Sequence, residues 1–94
     1  MSGGHFDFDQ YRIGRIAAKI EILIDNNDST EKTDIGYRVG RGFRPGTIEK
    51  FKEAVRALHK AEILTQRIDW LVSGDDTEIS FHDRLEEDML KFET

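Results

Sequence analysis

Arg67, Asp69 and His82 fall within one short block, Arg67 to Asp76 continued by Ser80-Phe81-His82, which also holds the only tryptophan, Trp70, and a helix break at Ser73-Gly74. An arginine set among Leu64, Ile68, Trp70 and Leu71 is partly desolvated and requires an anion. Two partners fit that need: a carboxylate such as Asp69 or Asp76 of a neighbouring subunit, or the phosphate of a ligand. The block supplies no nucleophile, metal cage or phosphate-gripping glycine loop. It points to recognition and away from catalysis.

Other groups capable of chemistry are scattered. Tyr11 sits beside the apolar stripe of a first helical pattern, with Arg15 four residues on. A tyrosine on a rigid helix offers a stacking face at low entropic cost, worth roughly 1 to 3 kcal/mol per stacked base. The same position also suits a core tyrosine. Gly36-Tyr37-Arg38-Val39-Gly40-Arg41-Gly42-Phe43-Arg44 interleaves three arginines with two aromatics, a combination that serves phosphate contact and base stacking, or simple solubility. His5, His59 and His82 share no metal-ligand spacing, so no metal site and no cofactor are expected, and His59 reads as a solvated helix residue. No serine or threonine lies in a nucleophile elbow, and an enzyme is disfavoured.

Composition narrows the class. The 94 residues, 37% hydrophobic and 35% charged, fit a single domain over 1–94 with a small core, for which oligomerisation would supply missing burial. Absence of cysteine excludes disulfides and thiolate zinc sites. The polar opening Met1 to His5 and the lack of a long apolar run lead us to expect a soluble, intracellular protein. A net charge of −5 argues against a general duplex-DNA binder, because that affinity rests on lysine and arginine displacing counterions. Arg38, Arg41 and Arg44 nevertheless crowd the middle of the chain, leaving room for a small phosphate ligand.

The elements that must position these residues read as three helices and no sheet. Ile13, Ile16, Ala17, Ile20, Leu23 and Ile24 recur at helical spacing from about Asp9 to Asn26. Residues 27–46 then read as a mobile polar loop rich in glycine. Pro45 suits the first turn of a second helix, with Phe43 positioned to staple onto Ile48. That pattern persists to Ser73, where Gly74 fits a left-handed cap. At ~1.5 Å per residue the second helix is ~40 Å long, a long central helix that projects beyond a monomer's own core. Ile48, Phe51, Val55 and Leu58 make one stripe. Ala54, Ala57, Ala61, Leu64, Ile68 and Leu71 make another, which permits close approach of a second subunit. Asp75 and Glu78 have the spacing of a capping box, and Phe81, Leu85, Met89 and Phe92 give a third helix one apolar face.

The opening GGHFDFDQYRIG (Gly3 to Gly14), TIEKFKEAV (Thr47 to Val55) and QRIDWLVSGDDTEISFHDRLEED (Gln66 to Asp88) together resemble the phage anti-CBASS protein 2 family, sponges for cyclic oligonucleotide signals. The resemblance covers both ends and most of the second helix. It implies an all-α protomer in a compact hexamer, acting in the cytoplasm of an infected bacterium. Cyclic dinucleotides such as cyclic GMP-AMP would bind between paired subunits, and cyclic trinucleotides such as cyclic tri-adenylate in pockets shared by three. Tyr11 matches the family's base-stacking tyrosine in the dinucleotide pocket, and Arg67 an arginine of the trinucleotide pocket. Where the family carries a phosphate-contacting lysine near the end of the first helix, this chain has Asn26 and Asn27. Lys19, Arg15 or Lys32 would have to take that contact.

The competing expectation is an acidic helical module that docks a protein partner, in which Glu86, Glu87 and Asp88 would matter and Tyr11 and Arg67 would not. A hydrolase of cyclic nucleotides would require a metal site that the residues do not offer.

Overall fold

The computed structural model describes residues 4–32, 34–36 and 40–93. They form three helices and no strand: α1 (Gln10–Asp25), α2 (Pro45–Val72) and α3 (Glu78–Glu93). Both α1 and α3 pack on α2, and not on each other. The pairings Gln10 with Gln66 and Glu21 with His59 run α1 antiparallel to α2. Arg67 with Asp88 does the same for α3.

Local chemistry explains the boundaries. Pro45 occupies the first helical position of α2, where a missing amide hydrogen costs nothing. At the other end Gly74, with φ +85°, donates to the Leu71 carbonyl while Asp75 N–H donates to Trp70. These two bonds close a Schellman cap, and the left-handed residue in it favours glycine. The cap of α3 lies at Thr77, two residues beyond the expected Asp75. The Thr77 hydroxyl accepts from Ser80 N–H at 3.1 Å and the Ser80 hydroxyl accepts from Thr77 N–H at 3.0 Å. Serine thus performs the reciprocal role that a glutamate three residues past the cap was expected to play.

Asn27 closes the base of the segment between α1 and α2. Its amide nitrogen donates to the Phe43 carbonyl at 3.0 Å and its amide oxygen accepts the Phe43 N–H at 2.9 Å. The Asn27 carbonyl in turn accepts from Gly42. Gly40 is buried against this turn, where a Cβ would come within 2.5 to 2.7 Å of the carbonyl oxygens of Ser29, Asn26 and Asn27. Phe43 packs edge-on against Phe51 at 5.5 Å, one helical turn beyond the staple partner expected at Ile48. Tyr37, Arg38 and Val39 of the arginine-aromatic stretch lie outside the described residues, whereas Arg41 and Arg44 are exposed.

The apolar stripes are only half covered. Among the described residues the buried hydrophobic side chains are Ala17 and Val55, while Ile16, Ile22, Leu23, Ile68 and Leu90 are exposed. The chain exposes 7119 Å², against about 5,600 Å² for a globular monomer of its mass. Its radius of gyration is 17.5 Å, against about 12 Å for a compact chain of this length.

Candidate functional site

Because α1 and α3 lie on α2 without meeting, a groove runs between them. It holds a cavity of about 740 Å³. Tyr11, Trp70 and Phe92 supply aromatic faces to its wall, and Arg67 and Lys91 supply cations. His59, Glu62 and Gln66 add hydrogen-bonding groups. Aromatic rings beside cations are the combination that binds a base joined to a phosphate.

Tyr11 is half-exposed and stacks on Phe8, the rings 18° from parallel with centroids 6.2 Å apart. Phe8 reaches that position through an unusual backbone. Asp7 and Phe8 both have positive φ, 53° and 61°. Each such non-glycine residue costs on the order of 1 to 3 kcal/mol and persists only where its surroundings enforce it. The enforcing group is Asp69. Its fully buried carboxylate accepts from His5 N–H at 2.7 Å, Gly4 N–H at 3.1 Å, the Gln10 amide at 2.8 Å and the Ser73 hydroxyl at 3.3 Å. Burial is the largest influence on this carboxyl and pushes it up, but the His5, Gln10, Gly4 and Ser73 donors together outweigh it. The group therefore lies below the ordinary carboxylate range and stays ionised. Residues 4–9 are thereby strapped to the end of α2, and Phe8 is held against Tyr11, which lines the groove.

The Asp69 carboxylate is taken up by these four donors. The partners considered from sequence were Asp69 or Asp76 of a neighbouring subunit, and within the chain Arg67 stands 4.0 Å from Asp76. Arg67 meets Asp88 of α3 more closely. Its Nε donates to Oδ2 at 2.6 Å and its Nη2 donates to Oδ1 at 3.3 Å. The guanidinium lies 4.7 Å from the Trp70 ring centroid, a cation–π contact. The Asp88 hydrogen bond raises the Arg67 pKa above its already high value; burial opposes this, and the Asp88, Asp76 and Glu87 charges add to it. Asp76 completes the cluster. Its Oδ1 accepts from Arg84 Nη1 at 2.8 Å, while its Oδ2, buried and without a hydrogen-bond partner, stands 4.0 Å from Arg67 Nη1.

Arg15 and Lys19 continue the Tyr11 row along α1 at four-residue spacing and are exposed, but neither lines the cavity. Tyr11 and Arg67, expected in separate pockets, line the same groove of a single chain. Asn27 is committed to the Phe43 clamp, and Lys32 is exposed. His59 is half-buried, with its Nε2 3.1 Å from Glu21, and is less solvated than expected. Phe8, Gln10 and Asp88 were not singled out for the site from sequence. An aspartate such as Asp69 set between Ile68 and Trp70 was the one signal that a buried polar network lay nearby.

Among the described residues no group of three or more His, Cys, Asp or Glu side chains could hold a metal ion, and no helix is long and apolar enough to cross a membrane. Comparison with protein-family models, curated proteins and solved structures gives no match.

Proposed function

We propose that the protein is a sponge that binds cyclic oligonucleotides, cyclic dinucleotides such as cyclic GMP-AMP and cyclic trinucleotides such as cyclic tri-adenylate, and releases them uncleaved. Sequestration would block CBASS-type antiviral signalling in the cytoplasm of an infected bacterium. The observation that carries this reading is the groove that sets Tyr11 and Trp70 faces beside the Arg67 and Lys91 cations. The resemblance of Gln66 to Asp88 and of the opening residues to the anti-CBASS family supplies the ligand class. Tyr11 would stack a base of the dinucleotide, with Arg15 and Lys19 beside it toward phosphate. Arg67 would take a phosphate of the trinucleotide through charge-assisted hydrogen bonds.

Self-assembly belongs to the same proposal. The excess of exposed surface and, among the described residues, a buried apolar core of only Ala17 and Val55 are what a protomer presents when its stripes are completed by copies of itself. A symmetric assembly would repeat Arg67 around an axis, matching the repeated phosphates of a cyclic ligand. The resemblance sets the expected number at six. The exposed apolar residues favour equally a docking module for another protein, for which the ligand would be irrelevant.

Native mass spectrometry separates these readings. The proposal expects a multiple of the 10.9 kDa chain that retains added cyclic tri-adenylate at its intact mass. A monomer that retains no cyclic oligonucleotide would contradict it, and ligand recovered as linear product would make the protein an enzyme.

A further inference from the structure

We propose that Asp88 is an internal competitor that occupies the phosphate seat of Arg67 and sets the threshold for ligand binding. The inference rests on the reading that Arg67 receives a ligand phosphate. The Nε–Nη2 edge of a guanidinium is the edge that grips a carboxylate or a phosphate with two parallel hydrogen bonds. In the free chain Asp88 holds that edge at 2.6 and 3.3 Å. A phosphodiester arriving from the cavity must therefore exchange with the Asp88 carboxylate, since both need the same donors.

Three features make the exchange feasible. Asp88 lines the cavity itself and its side chain is 28% exposed, so it can turn to water without crossing the core. A phosphodiester oxygen takes the place of a carboxylate oxygen on the same donors, so Arg67 keeps a singly charged anionic partner while Asp88 is rehydrated. Arg67 is also kept in place while Asp88 leaves, because Trp70 lies 4.7 Å from its guanidinium and the unpartnered, buried Asp76 Oδ2 stands 4.0 Å from Nη1. A modest shift brings Nη1 onto that oxygen. Arg67 is thus poised between two carboxylates, one replaceable and one fixed by Arg84. With one phosphate per Arg67 copy, a cyclic trinucleotide would meet this exchange three times, and an anion of single charge only once.

Calorimetric titration of cyclic tri-adenylate into wild type, Asp88→Asn, Asp88→Ala and the control Glu87→Gln tests the inference. Glu87 is an exposed neighbour whose charge Arg67 feels but which does not hold its donors. Neutralising Asp88 is expected to tighten binding by about tenfold or more, the order of one charge-assisted hydrogen bond no longer given up. Glu87→Gln should change it by less than about twofold. Wild type that binds while both Asp88 variants, folded by circular dichroism, bind equally or more weakly overturns the inference and leaves the proposed function standing. Equal tightening by Glu87→Gln also overturns it, assigning the effect to net charge. Absence of binding in wild type and every variant would mean that the sponge reading itself has failed, and the inference with it.

Discussion

Asn27 holds Phe43 through both backbone groups, donating at 3.0 Å and accepting at 2.9 Å across a sequence separation of sixteen. One side-chain amide thereby does what a pair of strand residues would do, and the entry to α2 is fixed relative to the exit of α1. Truncation leaves the Phe43 amide and carbonyl without these partners. Asn27→Ala is expected to cost about 2 kcal/mol, seen as a fall in melting temperature of about 10 °C. Asn27→Lys, which introduces the residue type that the anti-CBASS family carries near this point, should be at least as destabilising.

Two glycine substitutions should have opposite signs. At Gly40 a Cβ meets three backbone carbonyls that cannot swing aside, so Gly40→Ala is expected to lose about 1 to 3 kcal/mol. Gly46 lies in the first turn of α2, and nothing stands within 4 Å of the place a Cβ would take there. Gly46→Ala is therefore expected to gain about 0.5 to 1 kcal/mol. Urea denaturation of the two variants checks both.

The Asp69 carboxylate makes stability dependent on acid. Its folded pKa lies below the ordinary value of 3.8, so its contribution is present in full above that value and is lost as pH falls through the folded pKa. Asp69→Asn should melt well below wild type at neutral pH, because an amide cannot accept from four donors at once. The two melting curves should approach each other as the pH drops below about 4. A constant separation across the whole range would contradict the assignment.

How much of this was legible in the sequence divides by range. Helix types and ends followed from local signals: the apolar recurrence through Ile13 to Ile24, Pro45 at one end of α2 and Gly74 past the other. What local spacing could not show was any bond that depends on how helices cross. Arg67 meets Asp88 across 21 residues, and Asp69 meets His5 across 64. Both acids were visible as charges, but whether a carboxylate faces solvent, a neighbour's arginine or the chain's own amides is decided by helix packing. The Phe8–Tyr11 platform was hidden for a related reason. It depends on two consecutive left-handed residues, Asp7 and Phe8, that no residue preference announces and that Asp69 enforces from a distant helix.

Binding residues should separate by the kind of contact they supply. Tyr11 is half-exposed and stacks on Phe8, so Tyr11→Ala should leave the melting temperature within a few degrees while weakening cyclic GMP-AMP by about 1 to 3 kcal/mol per stacked base. Arg67→Ala should weaken cyclic tri-adenylate and also lower stability, because it takes from Asp88 the cation that it pairs with and leaves Asp76 with Arg84 alone. Equal loss of both ligands in either variant would show that Tyr11 and Arg67, which share one groove, also share one site.

The most direct test of the account is calorimetric titration of the wild-type protein with 3′,3′-cyclic GMP-AMP and separately with cyclic tri-adenylate, followed by denaturation and chromatography of the released ligand. The account expects saturable binding of both, near one dinucleotide per two chains and one trinucleotide per three, with each ligand recovered intact. No heat of binding from either ligand would contradict the central claim, and recovery of linear product would replace sequestration with hydrolysis.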